Sequence, residues 1–319
     1  MTLKQWLGVG FGVVNGLGLV LNIVVLRPVY ILGFVQKKSP IYIISLVNIM
    51  NDIIHLSLAF FYLVPCILTE SWLFEEGQTS VYAELISSMF MFAWYTGCLT
   101  QILMAINRLV VICCRGNNFF SHKNTICLFV ASTPLLLFAT WLAQYGFSCC
   151  KFSFDHRYLS YSYVQIEGLP NYSNQFIDLW LNSTTTGIAV ISYTIIFVSV
   201  RSTSKTVVLN MSAEQRRSRR VKEYSYAVQF FLISVFYTFS WVAFRVFPIL
   251  IGESRVEWFV LISLCVSINS IANALIYVLT NKEVQNQILA LGTKLSHINS
   301  THNGNTSYAN HPTAPSVSN

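Results

Sequence analysis

Few residues in this chain are able to do polar chemistry, and most of them interrupt long apolar runs. Asp52 closes the run Asn48-Ile49-Met50-Asn51-Asp52, and Asn22 lies inside an earlier one. Asn269, Asn273 and Tyr277 recur at i, i+4 and i+8, which places them on one helix face. Asn107 and Arg108 end a third run, and Arg245 follows Trp241 by one helical turn. A carboxylate among carboxamides is suited to holding water, a proton or a cation, and to tying helices together. It is not a bond-making set: no HExxH, no GxSxG and no pair of aspartates in apolar segments occurs, so the chain reads as something other than an enzyme. His55 stands alone and reads as a packing residue. Eight cysteines without a repeated CxxC pair argue against a zinc module, and Cys98, Cys127 and Cys265 read as packing residues inside apolar stretches. No metal and no cofactor are expected.

The elements that must position these groups follow from composition. Charged residues make up 10% of the chain and apolar ones 54%, against about 25% and 45–50% in soluble domains. The net charge of +7 does not imply nucleic acid, because the basic residues sit in short loops between apolar spans. A bilayer core needs about 20 predominantly apolar residues per helix, and seven stretches qualify: 5–31, 39–65, 82–111, 124–147, 176–200, 224–251 and 257–280. The fifth is the most polar, with Asn182, Ser183 and the run Thr184 to Thr186 in one half. With the N-terminus outside, 15 of the 20 basic residues fall on or beside the inner face, which sets the orientation. The expected architecture is an all-α bundle of seven transmembrane helices over residues 1–293, with a short amphipathic eighth helix at 281–293 lying along the membrane. Residues 294–319 read as a disordered cytoplasmic tail, and no removable signal peptide is expected.

Ionisable groups at membrane depth are costly and face the bundle interior by default. Asp52 therefore needs water, an ion or donor side chains around it. Arg108 either turns inward or snorkels to the headgroups, and Arg245 either meets a ligand or snorkels to the opposite surface.

Taken in order, Asn22 in the first span, Asp52 in the second, Asn107-Arg108 closing the third, Trp241 in the sixth and Asn273-Ala-Leu-Ile-Tyr277 in the seventh resemble the rhodopsin-like G-protein-coupled receptor superfamily. Within it the chain is similar to nematode serpentine chemoreceptors of the class x group, through Ile106-Asn107-Arg108 and Arg219-Arg-Val-Lys-Glu223 leading to Gln229. The resemblance covers roughly residues 10–290 and departs from the superfamily pattern at Asn107, Ala243 and Ala274, and at Gly97, where a serine ligand often stands.

The resemblance implies a chemosensory, olfactory-type receptor and signal transducer in the plasma membrane or a sensory cilium, with a small molecule or peptide as ligand and a heterotrimeric G protein as partner. It implies a switch of Asn107, Arg108, Glu223, Asn273 and Tyr277, in which Arg108 pairs with Glu223, unless Glu223 is taken by Arg219 or Arg220. The polar core would be Asn22, Asp52 and Asn269. The ligand pocket would use Phe90, Trp94, Trp241, Phe244, Arg245, Ser263 and Ser267. Cys66 would pair with Cys149 or Cys150, and Asn171 in Asn171-Tyr-Ser173 would carry a glycan. No lysine lies between Trp258 and Asn281, which excludes a retinal Schiff base in the last span. The competing reading is a transporter with Asp52 and Arg245 on its path, although two matching halves with broken helices are not seen.

Overall fold

The computed structural model describes residues 2–113, 119–164, 166, 168–203, 213–251 and 255–291, with side chains except at 200–203, 213–224 and 226. Seven helices in it are long and apolar enough to cross a bilayer: α1 (Leu3–Val35), α2 (Ile41–Thr69), α3 (Val81–Cys113), α4 (His122–Tyr145), α5 (Ser173–Ser199), α6 (Ala227–Ile251) and α7 (Val256–Thr280). Each coincides with one expected span. α6 is the apolar part of a longer helix, Ala213–Ile251.

Two spans run further than the apolar pattern suggests. Pro28 lies inside α1, which continues as a π turn over Ile31–Val35. In α2 a π turn at Ala59–Leu63 precedes Pro65. Proline lacks an N–H and collides with the carbonyl four residues back, here that of Phe61, so widening the turn in α2 absorbs the mismatch without ending the helix.

The helices close into a ring around α3. α1 packs on α2 and α7, α2 on α3 and α7, α3 on α4, α5 and α6, and α6 on α5 and α7. α4 lies at the edge and buries little of itself. The polar half of α5 is accounted for by direction: Asn182 and Thr185 are fully buried and face inward, while Ser183 and Thr184 are exposed.

Between α4 and α5 the chain forms a two-stranded antiparallel hairpin, β1 (Phe152–Asp155) and β2 (Ser160–Tyr163), paired Phe152 to Tyr163 through Asp155 to Ser160. Its alternation Phe-Ser-Phe-Asp and Ser-Tyr-Ser-Tyr puts Phe152, Phe154, Tyr161 and Tyr163 on one face, and all four are buried in the core at that end of the bundle. The Gln144 side chain, at the end of α4, binds the hairpin reciprocally, donating to the Phe152 carbonyl at 3.2 Å and accepting the Phe152 N–H at 3.0 Å.

The chain begins at the hairpin end, where the Lys4 ammonium donates to the Arg157 carbonyl at 3.1 Å. α7 ends at the far end, where Asn281 caps a further helix at 282–291 by accepting N–H bonds from Glu283 and Val284. The Tyr42 hydroxyl and Lys38 ammonium bind the Glu283 carboxylate there, at 2.8 and 3.1 Å. Residues 292–319, which hold the expected tail, lie outside the described residues.

Glycine sets the approach of α1 to α7. A Cβ on Gly18 would stand 2.5 Å from Ile271 Cγ1, beside the bond from the Asn22 amide to the Ser270 carbonyl at 3.2 Å. Gly18→Val should therefore destabilise the bundle by about 1–3 kcal/mol through overpacking, seen as a fall of several degrees in the apparent melting temperature of the solubilised protein.

Candidate functional site

Three polar layers cross the bundle. In the middle, Asp52 on α2 accepts from Asn48 Nδ2 at 3.1 Å and, across the helix boundary, from Asn273 Nδ2 on α7 at 2.9 Å. Asn48 also accepts from the Thr100 hydroxyl on α3 at 3.2 Å, so one carboxylate and one amide tie three helices. Asn22 donates to the Gly18 and Ser270 carbonyls, which brings α1 in. Asn51 Nδ2, Asn22 Oδ1, Asn269 Oδ1 and Asn273 Oδ1 are buried with no protein partner, and groups of that kind are answered by bound water. Among the described residues no cluster of three or more metal-ligating side chains is present.

Toward the far end, Arg108 is buried rather than directed at the headgroups, and its guanidinium lies over the Phe230 ring of α6, 4.8 Å from the centroid. Tyr277 meets the same ring edge-on at 6.2 Å and donates its hydroxyl to Ser45 Oγ at 2.8 Å. Asn107 is buried beside Arg108. The Glu223 side chain, expected as the partner of Arg108, lies outside the described residues, as do those of Arg219 and Arg220.

At the hairpin end a cavity of about 20 Å³ is walled by Phe90, Trp94, Trp241 and Phe244 from the helices and by Phe152, Tyr161 and Tyr163 from the hairpin, with Asp178 on its rim. That is room for a water molecule. Phe90 and Trp94 stack in parallel at 6.4 Å, and Phe90 stacks on Phe152 at 5.0 Å. His55 packs its ring on Phe90 at 4.7 Å, in the packing role expected of it. Beneath the cavity Asn182 joins three helices: its Oδ1 accepts from Trp94 Nε1 at 3.1 Å and from the Tyr237 hydroxyl, and its Nδ2 donates to Asp178 Oδ1 at 3.0 Å. Cys98, expected only to pack, joins this cluster through a 2.9 Å contact with the Tyr237 hydroxyl.

Of the seven pocket residues expected, Phe90, Trp94, Trp241 and Phe244 line this cavity. Arg245 does not: it is bound at 3.1 Å to Asp178 and at 2.9 Å to the Asn174 carbonyl. Asp178 escaped sequence reading because it stands at the polar start of α5, where nothing marks it as inward-facing. Ser263 donates to Ser160 Oγ at 3.0 Å and so holds the hairpin, while Ser267 donates to Asn15 Oδ1 on α1 at 2.9 Å. Neither hydroxyl faces the cavity. The hairpin departs from the all-α expectation; its strict two-residue alternation, the signal for a half-buried strand, went unread in the sequence.

One further expectation is corrected. Cys66 forms no bridge; it is free and buried in the apolar cluster with Leu63 and Ile67, whereas Cys149 and Cys150 are joined to each other. The hairpin is held by Gln144 and Ser263 instead. Asn171 is buried, its Oδ1 accepts the Asn174 N–H at 3.0 Å, and its Nδ2 is enclosed.

The family described as serpentine type 7TM GPCR chemoreceptor Srx matches residues 13–281. The chain belongs to this family. Squid rhodopsin shares its fold, with a TM-score of 0.70 over 97% of this chain and 92% of that one at 13% identity. Comparison with curated protein sequences returns no match.

In this Srx-family chain, Asp52→Leu would strand the amides of Asn48 and Asn273, at about 1–3 kcal/mol for each buried donor left unanswered. Asp52→Asn keeps an acceptor and should cost less, an order that thermal melting of the solubilised protein checks. The hairpin turn supplies a pH response. Burial pushes His156 below the usual histidine range, with Arg157 and Lys4 adding to the shift and Asp155 and the Glu70 backbone opposing it. Its ring meets Trp72 edge-on at 4.5 Å. Because the unfolded chain takes up that proton first, the contribution is complete above the ordinary histidine value of 6.5 and declines as pH falls from there toward the depressed folded value. Melting temperature followed down that range should fall more steeply in the wild type than in His156→Gln.

Proposed function

We propose that the chain is a chemosensory receptor of the plasma membrane, with the hairpin end outside, that binds a small molecule at the aromatic cavity and activates a heterotrimeric G protein at the far end. One observation carries the reading: α6 belongs to both sites. Trp241 and Phe244 wall the cavity, Tyr237 enters the Asn182 cluster, and Phe230 lies under Arg108. Trp241 and Phe230 are 11 residues apart, about 16 Å along one rigid helix. A displacement of α6 at the cavity is thereby delivered to the arginine.

The orientation rests on charge. Among the described residues 12 of the 17 basic ones sit toward the far end, including Arg216, Arg217, Arg219, Arg220 and Lys222 ahead of α6. These would face the G protein and the anionic leaflet. The ligand shifts the population toward a state in which the inner end of α6 stands away from α3. Glu223, 18 residues before Trp241 and about 27 Å from it along the helix, reaches the inner face, where an ion pair with Arg108 would hold the resting state.

In vesicles containing the full-length protein and a G-protein heterotrimer, nucleotide exchange should depend on the receptor and be abolished by Arg108→Ala. Phe230→Ala removes the ring face, an interaction of about 0.5–2 kcal/mol, and should alter basal exchange severalfold. Glu223→Ala should raise basal exchange; a basal rate equal to wild type would remove the lock, and no exchange with any heterotrimer would remove the receptor reading.

A further inference from the structure

The cavity has a charge preference that its aromatic walls conceal. Seven of its ten lining residues are aromatic, and Asp178 is the one ionised group among them. We propose that the receptor recognises small organic amines, whose ammonium head binds Asp178 within the ring faces. This rests on reading the cavity as the ligand site and adds the chemical class of the ligand.

Three observations support the sign. The first is the under-occupied carboxylate: Asp178 Oδ1 accepts from Asn182 at 3.0 Å and Oδ2 from Arg245 at 3.1 Å, two bonds where a carboxylate accommodates about four. Arg245 reaches it by a single N–H rather than by its two-pronged fork, sharing that nitrogen with the Asn174 carbonyl. The second is the wall itself. Aromatic faces carry negative quadrupoles that attract a cation and repel an anion, and Arg245, the one cation nearby, lies outside the lining. The third is long-range. Among the described residues Glu70, Glu75, Glu76, Glu84, Asp155, Asp178 and Glu257 stand toward the hairpin end against Lys4, Lys151, Arg157, Arg245 and Arg255, so seven acids meet five bases there, a net of −2 in a protein whose total is +7. That field steers cations to the outer mouth.

Size refines the class. About 20 Å³ admits an ammonium-sized group and little more, so the body of the ligand must take the place of a hairpin ring such as Phe152 or Tyr161. An arylalkyl primary amine meets both demands. Its ammonium competes with Arg245 for Asp178, and since that ion pair links α5 to α6, the competition loosens α6 at the cavity.

The test uses three probes with similar bodies and different heads: phenethylamine, phenethyl alcohol and 3-phenylpropionate, titrated against full-length protein in lipid nanodiscs by calorimetry. The amine should bind at least tenfold more tightly than the alcohol, and the carboxylate more weakly than either. Asp178→Asn should reduce amine binding to the level of the alcohol, and Arg245→Gln should strengthen it severalfold by removing the internal competitor. Equal or tighter binding of the alcohol or the carboxylate, or amine binding indifferent to Asp178→Asn, overturns the proposal. Should Asp178→Asn fail to fold, weaker amine binding by a folded Arg245→Gln protein overturns it as well. Nucleotide exchange separates the two readings. Asp178-dependent amine binding that never drives exchange with any heterotrimer removes the receptor function and leaves the ligand class standing. Exchange driven by the carboxylate and not by the amine does the reverse.

Discussion

Hydrocarbon offers no hydrogen bonds, and every polar side chain in the bundle is arranged around that constraint. The interaction most dependent on it is the contact of Asp52 with Asn273. A carboxylate at that depth is tolerable only with donors around it, and the nearest cross-helix donor belongs to α7, so α2 and α7 must close on each other. Asn48, Thr100 and Asn22 extend the same logic to α3 and α1. Asn22, Asn269 and Asn273 each keep a buried amide oxygen without a protein partner in this layer, groups of the kind that bound water answers.

The hairpin solves a different problem. A loop of polar backbone lying over an apolar cavity would leave groups unanswered, whereas a paired hairpin satisfies its own N–H and C=O groups and turns four aromatic rings downward. The cavity in this state is largely filled by the protein's own rings. In the proposed mechanism a ligand would enter by exchange with hairpin side chains, which would couple recognition to the bonds from Gln144 and Ser263 that hold the hairpin in place.

α6 carries the consequence to the other end. It is held at the hairpin end by Arg245 on Asp178 and Tyr237 on Asn182, and at the far end by Phe230 against Arg108. Each is a discrete polar or cation–π contact, and contacts of this kind exchange partners rather than deform. A helix fastened at two such points behaves as a lever in the proposed mechanism.

The number and order of the spans were determined by local composition, since crossing hydrocarbon demands a continuous apolar helix, and that demand is written residue by residue. The inward direction of the Asn269, Asn273 and Tyr277 stripe was likewise set by helical period. Partnerships were decided only in the tertiary structure. Arg245 read as a free cation because Asp178, 67 residues away, is brought to it by the packing of α5 on α6. Ser263 read as a pocket hydroxyl because the hairpin it binds is placed there by the loop between α4 and α5. Cys66 read as a bridging thiol because its burial in the apolar cluster depends on helices distant in the chain. Periodicity reports which face of a helix avoids lipid; which group waits on the other side of that face is a property of three-dimensional packing.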